Sequence, residues 1–154
     1  MARELAFSCR LESCVDKVRT AIMRPALFLY EAAPLVKFTP IGLERFPDIW
    51  EEREYRGSMS LFGVIPLGWQ AIVISFAAEG EEPLVLRDQG YGPMLREWDH
   101  RIEVSPAGAG TLYTDRLRLD AGALTPIVAF GVAQFFKHRQ RRLRKVDAKG
   151  FEEI

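Results

Sequence analysis

The sequence predicts an α+β protein, an antiparallel sheet covered by one long C-terminal helix. Three observations carry this. Apolar and polar residues alternate through the middle of the chain, from about Pro47 to Leu119. After Gly122 the spacing becomes helical, in LTPIVAFGVAQFFKHRQRRLRKV. Ahead of the alternating run lie two short helical segments punctuated by Pro25 and Pro34. Period two places alternate side chains on opposite faces of a strand, and period 3.6 lays them along one stripe of a helix.

Residues 4–11, ELAFSCRL, form a first strand. Ser13 followed by Asp16 reads as a helix start, because a hydroxyl can accept a free first-turn N–H and an acid suits the positive helix end. Val15, Val18 and Ile22 give that helix its apolar side, and ALFLYEAAP is a second short helix closed by Pro34. From about Pro47 to Leu61, Arg53, Tyr55, Met59 and Leu61 share one strand face, and Trp50 falls on the solvent-like one. GVIPLG turns the chain, and WQAIVISFA returns with Gln70, Ile72, Ile74 and Phe76 on one face. Pairing Leu61 with Gln70 sets Met59 opposite Ile72 and Tyr55 opposite Phe76, so that both apolar faces agree. After the polar turn GEEP comes the strand LVLRDQGYG, whose inward parity the pattern leaves open.

The segment Glu97–Leu119 is a long hairpin. With SPAGAG as its turn, Val104 pairs with Thr111, Ile102 with Tyr113, His100 with Asp115 and Trp98 with Leu117. Directly opposed residues lie about 5 Å apart at Cβ. One polar pair, His100 and Asp115, therefore meets on an apolar face. In the last helix, Pro126 occupies the first turn, where proline is tolerated. Ile127, Phe130, Gly131, Gln134 and Phe135 form its apolar stripe, with Phe130 and Phe135 expected as anchors.

The 154 residues read as one domain with a single core. Lys+Arg and Asp+Glu both number 21, so there is no basic excess of the kind a dedicated nucleic-acid binder carries. No apolar run is long enough to span a bilayer. The opening MARELAFSCR has no signal pattern, and Cys9 and Cys14 are badly placed to pair, which points to a reducing cytoplasm.

The order of these elements, with FGVIPLGWQ, GPMLREWDHRIEV, GTLYTDRLRL and the closing FFKHRQRRL, resembles the SRPBCC or START-like helix-grip superfamily, including its polyketide cyclase/dehydrase-like members. The resemblance covers nearly the whole chain. It implies a curved antiparallel sheet of six or seven strands wrapped around the long C-terminal helix, with two short helices after strand 1. It also implies an apolar tunnel for lipids, polyketides or quinone-like molecules. Such proteins include carriers, cyclases and proteins that act through partners.

On this reading the chain is more a ligand-binding protein than an enzyme. A small hydrophobic ligand is its expected partner, and no nucleic acid, cofactor or metal is called for. The expected lining is Tyr55, Met59, Ile72, Phe76, Trp98, His100, Ile102, Tyr113, Asp115, Phe130 and Gln134. His100 and Asp115 are also the candidate catalytic groups, since a carboxylate beside an imidazole fixes its tautomer and raises its pKa. The alternative is a buried pair that satisfies itself. The run Lys137–Lys145 holds six Lys/Arg in nine residues. It reads as a solvated helix end, favoured by the negative pole of the helix dipole, with weak contact to an anionic membrane surface as the other option.

Overall fold

The computed structural model describes residues 2–154. Its elements are β1 (Arg3–Leu11), α1 (Val15–Ile22), α2 (Pro25–Ala32), β2 (Val36–Pro40), β3 (Glu54–Leu61), β4 (Ile65–Phe76), β5 (Leu84–Asp88), β6 (Glu97–Ala107), β7 (Gly110–Asp120) and α3 (Thr125–Asp147), with a 3₁₀ turn at Gly122–Leu124. Seven strands form one antiparallel sheet in the order β1-β7-β6-β5-β4-β3-β2. The ladder is irregular at Met59/Ser60 and at Leu84/Leu86, and such bulges bend a sheet. α3 lies on its inner face beside β1, and α2 packs against α3.

Strand β2 has no counterpart in the sequence reading. Its five residues are bounded by Pro34 and Pro40, too short a run to announce a strand. The strand expected from Pro47 begins only at Glu54. Trp50 therefore lies in a loop, where strand parity does not apply, and it is buried rather than solvent-facing. Its ring packs on Phe28, Phe46 and Tyr55, with the Tyr55 ring 5.1 Å away.

Both central hairpins turn more tightly than their Gly/Pro stretches suggest. The β6–β7 ladder runs on through Ser105, Pro106 and Ala107 to the pair Ala107–Gly110, leaving a two-residue turn. Gly108 there has φ +61°, a conformation glycine adopts without steric cost. Val104 consequently pairs with Tyr113, Ile102 with Asp115 and His100 with Leu117, two residues from the expected register. A shift of two keeps every side chain on its face. The β3–β4 ladder likewise reaches Leu61–Ile65, so Tyr55 pairs with Ile72 and Met59 with Gly68. Pro66 sits where that register shifts, a position that tolerates a missing ladder donor.

The residue that caps the start of helix α1 is Cys14 rather than Ser13. The free N–H groups just ahead of it are held from the far end of the chain: the backbone N–H groups of Glu12 and Ser13 donate to Asp147 Oδ2 and Oδ1, at 2.7 and 3.1 Å. The face α3 presents inward also differs from the expected stripe. Thr125, Ala129, Phe136, Arg139, Gln140, Leu143, Val146 and Asp147 are buried. Ile127 and Phe130 are 73% and 69% exposed, so Phe130 is no anchor and Phe136 takes that place. Under α3, Phe136 joins Leu95, Leu117, Leu119 and Ala129 in one apolar cluster, while a larger one fills the space among α1, α2 and strands β3–β7.

Candidate functional site

Between the sheet, α2 and the first half of α3 lies a cavity of about 380 Å³. That is within the usual range for small-molecule sites. Its walls are mainly apolar, from Ile22, Leu27 and Phe28 on the α1–α2 side to Met59, Ile72, Leu86 and Ile102 on the sheet. Three lining residues, Met94, Gly131 and Gln134, are exposed and mark where the cavity meets solvent.

Seven polar side chains face this space: Glu31, Gln70, Asp88, His100, Tyr113, Gln134 and Arg139. His100 and Asp115 are diagonal neighbours across β6–β7, within reach of long side chains. His100 Nε2 is 2.7 Å from Asp115 Oδ1. Asp115 also accepts from the Tyr113 hydroxyl at 3.1 Å and from Gln140 Nε2 at 3.0 Å. Burial raises the Asp115 pKa, but His100, Arg139 and Gln140 together hold the carboxyl below its ordinary value. For His100 burial is the larger influence and lowers its pKa, outweighing the attraction of Asp115. The pair is thus a neutral imidazole beside a carboxylate. Because Nε2–H donates to the Asp115 carboxylate, Nδ1 carries the lone pair.

A second polar pair joins the helices. Arg139 donates from Nε at 3.1 Å and Nη2 at 2.7 Å, both to Glu31 Oε2. Both side chains are buried, and burial pushes the Glu31 carboxyl up to about 7 against the pull of Arg139. Asp88 is likewise pushed to about 7 by burial, although its Oδ1 accepts the Val73 N–H at 2.8 Å.

Of the eleven residues expected to line the cavity, Met59, Ile72, Trp98, His100, Ile102, Tyr113 and Gln134 do so. Four do not. Phe130 points to solvent, because the buried stripe of α3 runs along a different side of the helix. Tyr55 is buried in the aromatic group around Trp50, where its hydroxyl accepts the Glu51 N–H at 3.0 Å. Phe76 packs against the core beyond the cavity wall, and Asp115 stands behind His100 and Tyr113.

Sequence reasoning passed over Glu31, Gln70, Asp88 and Arg139. In the sequence Arg139 reads as part of the solvated basic run. Following the helical period through Phe136, Arg139, Leu143 and Val146 would have turned it inward. Other cations of that run, Lys137, Arg141, Arg144 and Lys145, are exposed. Arg142 lies over the Tyr30 ring at 4.0 Å. Glu31 is the lone acid of an apolar helix, a signal in itself. Among the described residues no three His, Cys, Asp or Glu side chains are grouped to hold a metal ion, and no helix is long and apolar enough to cross a membrane.

A seven-stranded antiparallel sheet gripping a long C-terminal helix is the helix-grip fold. Residues 10–146 match the family described as Domain of unknown function (DUF8410), and the chain belongs to it. No curated protein matches the sequence. Among solved structures, protein Ms6760 from Mycobacterium smegmatis is similar with a TM-score of 0.68 at 12% identity, over 93% of this chain and 89% of that one. A START superfamily protein from the same organism gives 0.62 at 14% identity, over 95% and 97%. Ara h 8.0201 gives 0.65 at 8% identity, over 97% and 99%. At such identities the likeness is one of fold.

Proposed function

We propose that this protein binds a small hydrophobic or aromatic molecule in the cavity between sheet and α3. The observation that carries this reading is the cavity itself, about 380 Å³ with mainly apolar walls and an opening at Met94, Gly131 and Gln134. A space of this size bordered by Met59, Ile72 and Ile102 favours apolar contents, since transfer of such surface out of water is favourable. The fold similarity to a START superfamily protein from Mycobacterium smegmatis is in keeping with it. Native mass spectrometry of freshly purified protein tests the reading directly, by the mass of a co-purifying molecule. Titration with an apolar dye is the second test. Trp50 and Trp98 both line the cavity, so a bound dye quenches both, and Trp98→Phe leaves a residue of that quenching. If no dye or fatty acid quenches either tryptophan, the cavity is not a binding site.

One observation favours a second reading, an enzyme of the cyclase or dehydratase type. His100 is neutral, oriented by Asp115, and on the cavity wall, where its Nδ1 lone pair can serve as a base. Turnover of a bound polyketide-like substrate that vanishes in His100→Phe, with binding retained, distinguishes the enzyme from the carrier.

A further inference from the structure

Most polar groups on the cavity wall are already satisfied by protein. The Tyr113 hydroxyl and His100 Nε2 bond to Asp115, Asp88 Oδ1 accepts from Val73, and Arg139 gives two hydrogen bonds to Glu31. Two buried atoms are exceptions. Glu31 Oε1 and Gln70 Nε2 have no hydrogen-bond partner among the described residues. The two side chains are 2% and 6% exposed, and both line the cavity. Both hydrogen bonds that Arg139 gives to Glu31 end on Oε2, which leaves Oε1 for something else.

The chain is built closely around Gln70. A Cβ added at Gly92 would stand 2.6 Å from Gln70 Oε1, and one at Gly90 would stand 3.2 Å from Nε2. The backbone after β5 closes on this amide because both residues are glycine. Buried polar atoms are almost always hydrogen-bonded, and each exception calls for a partner.

Resting on the cavity-binding reading, we infer that the ligand is an apolar molecule with two oxygen functions: a hydroxyl for Glu31 Oε1 and a carbonyl or ether oxygen for Gln70 Nε2. A hydroxyl suits Glu31 in either protonation state, since it donates to a carboxylate and accepts from a carboxylic acid. The carbonyl or ether suits an amide N–H, which only donates. A plain hydrocarbon would fill the same volume and leave both protein atoms buried without partners. The site therefore prefers oxygenated ligands over hydrocarbons of equal shape.

Four probes of one shape test this with the full-length protein by calorimetry: naphthalene, 2-naphthol, 2-acetylnaphthalene and 6-acetyl-2-naphthol. Each oxygen function is expected to tighten binding about tenfold over the matched probe lacking it. Glu31→Leu/Arg139→Met removes the carboxyl together with its counter-charge and erases the advantage of the hydroxyl, while the carbonyl keeps its own. Gln70→Met does the reverse. If the four probes bind within about threefold of one another, or neither substitution alters their order, water serves the two atoms and the inference is overturned. The cavity-binding reading then survives. If none of the four binds, that reading fails as well.

Discussion

Arg139 Nη2 lies 2.7 Å from Glu31 Oε2, a buried ion pair that ties α3 to α2 across the end of the cavity. The two partners are not equivalent when one is removed. Without Arg139, Glu31 can take a proton and become neutral, because burial has already moved it to about 7. Without Glu31, the guanidinium stays charged in the interior. Breaking a buried pair from one side costs about 3–5 kcal/mol. Glu31→Leu is expected to reach that range in urea denaturation, Arg139→Met to cost less, and Glu31→Leu/Arg139→Met to recover most of the loss. Equal and additive losses would show that the two side chains do not interact.

His100 and Asp115 make a different prediction, because Asp115 holds three donors at once. Asp115→Ala leaves His100, Tyr113 and Gln140 short of an acceptor and should cost at least about 1–3 kcal/mol. His100→Phe/Asp115→Leu should recover only part of that, since Tyr113 and Gln140 remain. Asp115 supports the charged form of His100 against burial. Removing Asp115 should therefore lower the His100 pKa further in an NMR titration, and an unchanged value would rule out their contact.

Stability should fall as pH rises from mildly acidic to mildly basic. Glu31 and Asp88 both have folded-state pKa values raised to about 7, from 4.5 and 3.8. The folded chain holds their protons more tightly than the unfolded chain. Their stabilisation is full below the unfolded values and disappears as pH passes about 7. His100 acts oppositely: its lowered pKa gives stability above the unfolded value, lost as pH falls through the folded one. Asp88→Asn keeps an acceptor for the Val73 N–H and cannot titrate. Its denaturation free energy should drop less between about pH 5 and about pH 8 than the parent's. Parallel curves would mean that Asp88 is ionised throughout.

The faces of the strands were legible in the sequence, and their registers were not. Period two assigns His100, Ile102, Tyr113 and Asp115 to one side whatever the turn does. The turn decides which residues oppose each other, and Ser105, Pro106 and Ala107 read as turn although they pair. Trp50 reads as a strand residue because alternation continues by chance into a loop. The polar cavity residues on the helices were harder still. Each helix hints at its own buried charge, Arg139 by the period of Phe136, Leu143 and Val146 and Glu31 as the lone acid of α2, but that the two neutralise each other is a relation across 108 positions that no local pattern encodes.

The true inward face of α3 gives a direct contrast between two phenylalanines. Phe136 is fully buried, stacks on Phe7 at 5.6 Å and meets the His100 ring at 5.0 Å. Phe136→Ala should cost about 3–5 kcal/mol. Phe130 is 69% exposed, and Phe130→Ala should change stability by less than about 0.5 kcal/mol. Chemical denaturation of the two variants checks this, and similar losses would mean that α3 is rotated about its axis.

Gly131 sits in the middle of α3, a position where glycine costs roughly 0.5–1 kcal/mol relative to alanine. It lines the cavity, is exposed, and a Cβ there would meet nothing within 4 Å. Its lack of a side chain therefore leaves the opening clear. Gly131→Ala should stabilise the fold by roughly 0.5–1 kcal/mol and leave dye binding intact, since one methyl group does not span the mouth. Gly131→Trp sets an indole beside Met94 and Gln134, the other exposed lining residues. It should fold, because the new side chain starts out into open space at its Cβ, yet slow both association and release of an apolar dye in stopped-flow measurements. Slowing in both directions identifies an obstructed passage, whereas a loss of affinity through faster release alone would mean that the indole disturbs the bound state. Unaltered rates in Gly131→Trp would place the entrance elsewhere on the cavity wall.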